Sequence, residues 1–239
     1  MIILLFTLLL IALIALLMNY FKAEIHACFE RDPAAANTLE VLLTYSGLHA
    51  LMAYRLAHRL YQWKIPLLPR FISQLSRFFT GIEIHPAAVI GSGCFIDHGM
   101  GVVIGETTII GKNVTLYQGV TLGGIGKEKG KRHPTLGDNI VVGAGAKILG
   151  NIRIGNQVAI GANAVVIREV PPNSTVVGVP GRIAQRHGRR SSGITLDYSG
   201  LPDPLAQSLE QLQQHIAHLE DDLAKWRQKP AEEKGLEEQ

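Results

Sequence analysis

The amino-acid sequence predicts a left-handed parallel β-helix, preceded by a small α-helical domain and followed by a C-terminal heptad helix. Between residues 84 and 166, aliphatic residues return at every sixth position, a period that fits neither an α-helix nor a flat strand. It does fit a solenoid in which three short strands make one triangular turn, and each turn buries its aliphatic residues in a stack that only neighbouring turns complete. Helical spacing precedes this region and a heptad pattern follows it. The fourteen repeat positions are Ile84, Ile90, Ile96, Val102, Ile104, Ile110, Leu116, Leu122, Leu136, Val142, Ile148, Ile154, Ile160 and Val166.

The composition of the chain narrows its class. With 239 residues, 47% of them hydrophobic and 18% charged, the chain can bury one main core with appendages. The net charge of +3 is spread without a long block of one sign, so no nucleic-acid partner is indicated. Cys28 and Cys94 lie far apart and lack the spacing of a zinc site or a disulfide framework, which favours a reducing cytoplasm.

Residues 1–18 form an apolar segment without a charged side chain, about the shortest length at which a helix spans a membrane. The basic n-region and the cleavage site of a secretory signal are not visible. Two interpretations stay open. Either the segment anchors the chain and leaves its body on the cytoplasmic side, because the basic residues follow it, or the start is assigned too early and the protein begins at Met18.

Residues 19–81 are predicted to form the helical domain. Thr38 is the expected N-cap of a helix that starts at "TLEVLL", and "GLHALMAYRLAHRLY" places leucines along one face. Prolines then separate this helix from "RFISQLSRFF". We interpret His49 and His58 as partly buried structural histidines of these helices.

Residues 82–185 are predicted to form the β-helix, with one loop at residues 123–135. The six-residue period slips by two residues after Val102 and resumes at Ile104. The loop, "GGIGKEKGKRHPT", is rich in glycine and charge and has no period. A loop of this length between repeating turns often has a function. The alternative is a surface loop without a function.

Residues 186–202 are interpreted as a linker, residues 203–229 as the C-terminal helix, and residues 230–239 as a tail. Asp203 and Pro204 make a good helix start, and apolar residues then alternate by four and three for just over three heptads. Such a seam predicts a coiled coil with other copies, and an amphipathic helix lying on its own solenoid is the alternative. The seam residues are Leu205, Leu209, Leu212, Ile216, Leu219, Leu223 and Trp226.

Eight short motifs occur in a fixed order between about residues 20 and 204: "RDPAA" (31–35), "GLHAL" (47–51), "IHPAAVIG" (84–91), "IDHGMGVVIGET" (96–107), "VTLGGIGK" (120–127), "KRHP" (131–134), "VVGAGAKILGNI" (141–152) and "GVPGR" (178–182). Together they resemble the serine O-acetyltransferases, a family of hexapeptide-repeat acyltransferases. Hexapeptide repeats alone would mark only a large group of acyltransferases, whereas the added motifs are much more specific. The resemblance implies transfer of an acetyl group from acetyl-CoA to the hydroxyl of L-serine, the first step of cysteine biosynthesis.

The resemblance also implies a catalytic pair. His98 matches the base that takes the proton of the serine hydroxyl, and an imidazole that titrates near neutral pH suits that task. Such a base needs an acid that fixes its tautomer and stabilises the imidazolium. Glu83 matches this acid, at a position where other members of the family have aspartate.

Four further residues match the family's serine-binding positions. Asp32 and Asp97 match those for the ammonium group, while Arg132 and His133 match those for the carboxylate, for which arginine offers a bidentate fork. From the residues alone, Asp32 could also cap a helix that begins at Pro33.

The positions that match the CoA site are Gly124, Lys127 and Ala144. Small residues there let the pantetheine arm lie against the backbone, and backbone amides could stabilise the tetrahedral oxyanion. His85, beside Pro86, is interpreted as structural.

Three other classes of function are weighed against this one. A zinc hydratase on a β-helix needs three imidazoles, two of them close together, and residues 99–132 contain no histidine, so no metal site is expected. A sugar or chloramphenicol O-acetyltransferase would keep the histidine base but has no need for "RDPA" or Arg132, and it is the alternative enzyme. A non-catalytic oligomeric platform would leave the acid, the base and the glycine loop unexplained.

The partners expected from the resemblance are L-serine, acetyl-CoA and further copies of the chain. The family forms trimers, in some cases paired into hexamers, with each site between two subunits, so His98 is expected to face Arg132 and His133 of a neighbour. Cysteine carries the same ammonium and carboxylate as serine, so the resemblance implies inhibition by cysteine at the serine site, with a sensitivity that varies among members of the family and that the sequence does not give. The chain ends in "EEQ", without the C-terminal isoleucine by which some members bind cysteine synthase, so that complex is not expected.

Overall fold

The computed structural model describes residues 6, 15–127, 129–186 and 204–228. The chain divides into two compact units, Met1–Ser199 and Gly200–Gln239. Helices come first in the first unit and short strands follow, while the second unit holds one long helix. The helices are α1 (Lys22–Arg31), α2 (Thr38–Thr44), α3 (Ser46–Gln62), α4 (Leu68–Thr80) and α5 (Pro204–Gln228), and residues 15–20 are also helical.

Helix α2 is capped by a different residue from the one predicted. Asn37, and not Thr38, is the N-cap, because the Asn37 side chain accepts a hydrogen bond of 3.0 Å from the Glu40 backbone N–H. An asparagine amide oxygen suits this role as well as a threonine hydroxyl does. Thr38 is therefore the first helical residue.

The capping role considered for Asp32 is also wrong, because no helix begins at Pro33. Residues 33 and 34 form a turn, and one oxygen of Asp32 accepts a hydrogen bond of 2.8 Å from the Ala34 backbone N–H. Asp32 instead follows the last residue of α1, and its own N–H donates to the carbonyl of Cys28. Its second carboxylate oxygen remains available for a different partner.

The described residues contain fifteen short strands, which form three parallel sheets around one axis. Sheet A has the order β1-β4-β7-β10-β13, sheet B has β2-β5-β8-β11, and sheet C has β3-β6-β9-β12-β14-β15, with β15 alone antiparallel. Each of the first four coils contributes one strand to each sheet, and the fifth meets sheet B only through a bridge between Ile154 and Val170. This is the arrangement of a left-handed parallel β-helix, so the predicted fold class is confirmed. The strands are β1 (Glu83–Ile84), β2 (Val89–Ile90), β3 (Phe95–Ile96), β4 (Val103–Ile104), β5 (Ile109–Ile110), β6 (Thr115–Leu116), β7 (Thr121–Gly123), β8 (Thr135–Leu136), β9 (Val141–Val142), β10 (Lys147–Leu149), β11 (Arg153–Ile154), β12 (Ala159–Ile160), β13 (Val165–Val166), β14 (Ser174–Val177) and β15 (Arg182–Arg186).

The predicted aliphatic positions form the central stack. In sheet A, for example, Ile84 is in register with Ile104, which is in register with Leu122. Every one of the fourteen positions is buried, and burial of a valine, leucine or isoleucine side chain contributes roughly 1.5–3 kcal/mol. Val102 differs from the other thirteen positions because it is the last residue of a corner and does not belong to a strand.

The helical part packs on the first coil through side chains that bond to strand and corner carbonyls. Arg55 of α3 donates to the carbonyls of Ile90 and Gly91 at 2.6 and 2.8 Å, and it also pairs with the buried Glu24 of α1 at 3.2 Å. Ser73 of α4 donates to a carbonyl of β1 in the same way. The first coil is thereby held in a fixed position against α1, α3 and α4.

The two helix histidines have the structural role predicted for them. Nε2 of His49 donates to the carbonyl of Leu42 at 2.7 Å, and Nδ1 of His58 donates to the carbonyl of Pro86 at 2.7 Å. Each imidazole therefore joins two segments of backbone.

The loop that interrupts the repeat runs from residue 124 to residue 134. It is shorter by one residue at each end than the range 123–135, because Gly123 ends β7 and Thr135 begins β8. Lys131 closes the loop, since its ammonium group donates to the carbonyls of Thr107, at 2.7 Å, and His133.

Parts of the sequence-based interpretation lie outside the described residues. They include most of the apolar segment 1–18, nearly all of the linker 186–202 and the tail 230–239. Over the part of the chain that is described, no helix is both long and apolar enough to cross a membrane.

Candidate active site

The corner between β3 and β4 differs from the equivalent corners of the other coils. It contains six residues, 97–102, whereas the corners that lead from sheet C to sheet A in the next coils contain four, at 117–120, 143–146 and 161–164. The two extra residues account for the slip in the six-residue period. They make the chain bulge outward after Asp97, so that His98, Met100 and Gly101 are exposed, and we call residues 97–102 the extended corner.

His98 is presented to the outside by this bulge. Its backbone has a φ of 57°, in the left-handed region, and its side chain is 74% exposed. Its Nε2 lies 4.0 Å from an oxygen of Asp97, and its carbonyl accepts a hydrogen bond of 3.2 Å from Ser46 at the start of α3. An exposed imidazole on a backbone that is bonded in place can take a proton from a bound molecule.

Glu83 is placed at the start of β1 and pairs with a residue other than His98. Its carboxylate lies 3.5 Å from a guanidinium nitrogen of Arg77, near the end of α4. Among the described residues, no hydrogen bond or ion pair joins Glu83 to His98. The role of Glu83 as the partner of the base stays a prediction.

Asp32 and Asp97 are brought together although 65 positions separate them in the sequence. Burial raises the pKa of Asp97, and the nearby negative charge of Asp32 raises it further, while His98 opposes the shift. The hydroxyl of Tyr45 donates a hydrogen bond of 2.6 Å to the Asp32 oxygen that the turn leaves free. Two close carboxylates, one of them only 18% exposed, make a site that favours a cation.

Two residues beside these carboxylates were missed from the sequence. Tyr117 follows β6 at the same position of the next coil as Asp97, and burial, followed by the charges of Asp97 and Asp32, raises its pKa. Stacking of equivalent corner positions is the signal that could have found it. Tyr45 lies at the junction of α2 and α3, and no local pattern relates it to Asp32.

Arg132 and His133 form a second group at a different corner, between sheets A and B. The guanidinium of Arg132 donates to a carboxylate oxygen of Glu106 at 2.5 Å. The hydroxyl oxygen of Thr107 accepts from the backbone N–H groups of both Arg132 and His133, at 3.0 and 3.1 Å. The end of the loop is therefore held on the preceding coil of the same chain.

The imidazole of His133 is buried and neutral. Burial lowers its pKa, and the positive charge of Arg132 lowers it further. Its Nδ1 accepts from the Thr107 N–H at 3.2 Å, which leaves the proton on Nε2 as a donor. The ring lies directly against Gly105, where a Cβ would come within 2.2 Å of Nε2.

His85 lies at the equivalent corner of the first coil. Its Nδ1 accepts a hydrogen bond of 3.0 Å from the Ala87 N–H, which agrees with a structural role. Burial, followed by the charge of Arg70, lowers its pKa to about 4. This imidazole is therefore neutral at ordinary pH.

The three residues predicted for CoA lie in two places. Gly124 and Lys127 belong to the loop, and Ala144 belongs to a corner. Gly124 begins the loop, and a Cβ there would come within 3.0 Å of the Arg132 side chain. Lys127 is exposed on the loop. Ala144 belongs to the four-residue corner after β9, and its carbonyl accepts from the Asn163 N–H at 2.8 Å.

Within one chain, the two groups of predicted site residues lie at opposite ends of the strands of sheet A. Asp97 and His98 precede those strands, whereas Arg132 and His133 belong to the corners that follow them. The first group favours a cation and offers a base, and the second offers cationic and neutral donors suited to a carboxylate. Among the described residues, no three histidine, cysteine or acidic side chains are arranged to hold a metal ion.

A family model, curated sequences and solved structures that resemble this chain all belong to the serine acetyltransferases. Residues 12–53 match the N-terminal region of serine acetyltransferases. The serine acetyltransferase of Synechococcus elongatus is 57% identical over 211 residues, which cover 88% of this chain and 86% of that protein. The crystal structure of the Neisseria gonorrhoeae serine acetyltransferase is similar with a TM-score of 0.70 and 46% identity, over 72% of this chain and 67% of that one. The structure of the same enzyme in complex with serine has a TM-score of 0.66 and 46% identity, over 68% and 66%.

Proposed function

The chain belongs to the serine acetyltransferase family, and on that premise we propose how its residues carry out the reaction. It transfers an acetyl group to the hydroxyl of L-serine, in the pathway of cysteine biosynthesis. The donor in our proposal is acetyl-CoA and the products are O-acetyl-L-serine and CoA. The observation that carries the assignment of residues is the extended corner, which presents Asp97 and His98 beside Asp32.

His98 is the general base of this reaction. It takes the proton of the serine hydroxyl as the oxygen attacks the thioester carbonyl, and the resulting imidazolium returns the proton to the CoA sulfur when the C–S bond breaks. General-base catalysis of this kind contributes about 10²- to 10⁴-fold. Glu83 stabilises the imidazolium by its charge, and for this it must turn from Arg77 toward the base.

Serine is held by its two charged groups. The ammonium group lies between the carboxylates of Asp32 and Asp97, whose mutual repulsion it relieves. The carboxylate is bound by the guanidinium of Arg132 and by the Nε2–H of His133, which the hydrogen bond from Thr107 orients. Cysteine carries the same two charged groups, so it competes with serine for this site.

Acetyl-CoA lies along the loop and the neighbouring corner. Gly124 and Ala144 allow the pantetheine arm to approach the backbone, and the exposed Lys127 offers a positive charge to the phosphates. Backbone N–H groups of these segments are available to the oxyanion of the tetrahedral intermediate.

The complete site requires two subunits. A single chain separates His98 from Arg132 and His133 by the strands of sheet A, so a neighbouring copy supplies the second group in a trimer, or in a hexamer of paired trimers. The exposed apolar side chains of α4, which include Phe71, Phe78 and Phe79, agree with contact between copies. We place the protein in the cytoplasm, where the free and buried thiols of Cys28 and Cys94 stay reduced.

The test is the release of the CoA thiol with purified protein. Thiol release should depend on both acetyl-CoA and L-serine, while a galactoside and chloramphenicol should give only background. Serine lacking either charged group, as its methyl ester or as 3-hydroxypropionate, should be a poor acceptor. A rate with a sugar that exceeds the rate with serine would overturn the proposal in favour of a sugar acetyltransferase.

A further inference from the structure

We propose that Tyr45 is a positioning residue for the acceptor amino acid: its hydroxyl holds the Asp32 carboxylate in the orientation that lets Asp32 and Asp97 bind one ammonium group together. This inference deepens the proposed function and rests on it. It concerns a residue for which the sequence gives no signal.

The two oxygens of Asp32 have two different donors. Oδ1 accepts from the Ala34 N–H at 2.8 Å, and Oδ2 accepts from the Tyr45 hydroxyl at 2.6 Å. The first donor belongs to the turn that follows Asp32 and allows rotation of the carboxylate around it. The second donor, thirteen residues away in the sequence, removes that freedom. Together they fix the plane of the carboxylate.

Tyr45 can hold the Asp32 carboxylate because its own backbone is hydrogen-bonded to the helix before it and to the helix after it. Its N–H donates to the Val41 carbonyl at the end of α2, and its carbonyl accepts from the His49 N–H in the first turn of α3. Its ring packs against a small hydrophobic cluster between the helices and β3. The hydroxyl is therefore delivered to Asp32 by a side chain with little freedom of its own.

The same junction also fixes the extended corner. Ser46 donates to the His98 carbonyl, and Gly47 lies so close to β3 that a Cβ would come within 2.0 Å of the Ile96 carbonyl oxygen. Three consecutive residues, 45–47, thus bind Asp32, the backbone of the base and the strand that leads to Asp97. The distance between the two carboxylates is set by this junction.

The charges explain why a positioned carboxylate is needed. Asp32 and Asp97 are close enough for the charge of one to raise the pKa of the other. Repulsion favours rotation of Asp32 away from Asp97 in the absence of a cation. The hydrogen bond from the Tyr45 hydroxyl opposes this rotation, because hydrogen bonds to charged acceptors are stronger than those between neutral groups. Burial and the bond to Asp32 raise the pKa of Tyr45, so its hydroxyl stays a donor.

The experiment compares Tyr45→Phe with Tyr54→Phe. Both variants lose one hydroxyl that donates a hydrogen bond of 2.6 Å, but Tyr54 donates to the Ala88 carbonyl in the core and has no part in the carboxylate pair. We expect Tyr45→Phe to raise the KM for serine about tenfold, with kcat and the KM for acetyl-CoA changed by less than about twofold. Tyr54→Phe should lower Tm and leave both KM values unchanged.

A double-substitution cycle with Asp32→Asn distinguishes positioning from a general structural effect. If Tyr45 acts through Asp32, adding Tyr45→Phe to Asp32→Asn should change the KM for serine by less than about twofold. Independent, multiplicative effects of the two substitutions would overturn the proposal. So would a Tyr45→Phe variant with wild-type KM for serine, or one in which both KM values rise together.

Failure of the proposed function would be recognised separately. In that case the wild-type protein would show no thiol release with serine, and calorimetry would detect no serine binding. If the wild type is active and Tyr45→Phe behaves like Tyr54→Phe, only the role of Tyr45 is wrong. Should Tyr45→Phe fold poorly, both variants are assayed at a temperature below the start of its unfolding transition. A higher KM for serine alone then supports positioning by the hydroxyl, and a KM for serine equal to that of Tyr54→Phe overturns it.

Discussion

At the scale of single residues, the candidate site depends on which side chain each charged group faces. Asp97 faces Asp32, Arg132 faces Glu106, and Glu83 faces Arg77. The first is a pair of like charges and the other two are pairs of opposite charges. Besides the exposed imidazole of His98, 4.0 Å from Asp97, no ion pair with a basic group is seen at either carboxylate within the described part of the chain, so a cationic group of a substrate is favoured there.

The first prediction concerns the base. His98→Ala should lower kcat by on the order of 10² to 10⁴ while CoA binding, measured by calorimetry, stays nearly unchanged. The side chain is 74% exposed, so its loss should not change Tm appreciably. A variant that keeps more than about half of the wild-type rate would show that another group takes the proton.

The second prediction concerns how much the charge of Asp97, beside that of Asp32, destabilises the folded protein. The folded-state pKa of Asp97 is raised, so this group stabilises the fold only at low pH, where it is protonated, and that stability is lost as the pH rises through its folded pKa. At neutral pH Asp97→Asn should therefore raise Tm by about 2–5 °C, while the KM for serine rises. The gain in Tm should shrink as the pH falls through the raised pKa of Asp97, because the protonated carboxylic acid carries no charge, as asparagine carries none.

The control for this pH series is a second aspartate-to-asparagine variant. Asp138→Asn removes a carboxylate that accepts from the Lys112 N–H at 2.7 Å at a corner between sheets B and C, and none of the proposed substrate-binding residues belongs to a corner of that kind. It should leave the KM for serine unchanged and should not raise Tm at neutral pH. An unchanged or lower Tm for Asp97→Asn would contradict the role of burial and like charge at Asp97.

At the scale of elements, the extended corner shows how a repeat acquires a function. The stack of inward aliphatic residues fixes the register of β3 and β4, so two extra residues cannot be absorbed in the strands and must leave the solenoid as a bulge. The bulge carries His98, and Asp97 lies at the start of the same corner. The loop of residues 124–134 obeys the same rule at a different corner, where it carries Arg132 and His133.

The third prediction concerns helix α5, whose seam residues are exposed from Leu209 to Leu223. If three copies form a parallel coiled coil, Leu212 lies beside its equivalents, whereas Gln214 points away from the seam. Under mild oxidation, Leu212→Cys should give a disulfide-linked dimer on a denaturing gel and Gln214→Cys should not. Background is low because Cys28 and Cys94 are buried.

The alternative for this helix gives the opposite result. A helix that lies on its own solenoid brings no two copies of residue 212 together, so neither cysteine variant would form the linked dimer. An antiparallel pair of helices would instead cross-link Leu209→Cys with Leu223→Cys in a mixture of the two variants.

At the scale of the whole molecule, our proposal divides the site residues of one chain into two incomplete halves. The helical domain and the extended corner supply Asp32, Asp97 and His98, and the loop supplies Arg132 and His133. A closed symmetric oligomer places the same two halves opposite each other at every interface. In our proposal, assembly is therefore a condition for activity.

The fourth prediction tests that condition by complementation. His98→Ala and the double variant Arg132→Ala, His133→Ala should each be nearly inactive, and co-expression should restore activity. Random mixing leaves about one quarter of the interfaces with both halves intact. As a control, two chains that both carry His98→Ala should stay inactive when mixed. Activity no greater than the sum of the separate variants, in oligomers shown to be mixed, would mean that each site is built within one chain.

The sequence by itself determined the features that repeat or that act locally. The six-residue period specified the β-helix, because an aliphatic residue at every sixth position can be buried only in a stack of equivalent positions. The two-residue slip after Val102 marked the extended corner, and the motifs around His98 and Arg132 indicated the family. Each of these signals is carried by residues close together in the chain.

Only the tertiary structure decided which distant side chains meet. The contact of Tyr45 with Asp32, the pairing of Glu83 with Arg77 and the separation of His98 from Arg132 depend on how α1, α3 and α4 pack on the first coil. That packing is set by non-repeating contacts, such as those of Arg55 with the carbonyls of Ile90 and Gly91. No period or motif encodes them, because each depends on the shape of two surfaces that exist only after both have folded.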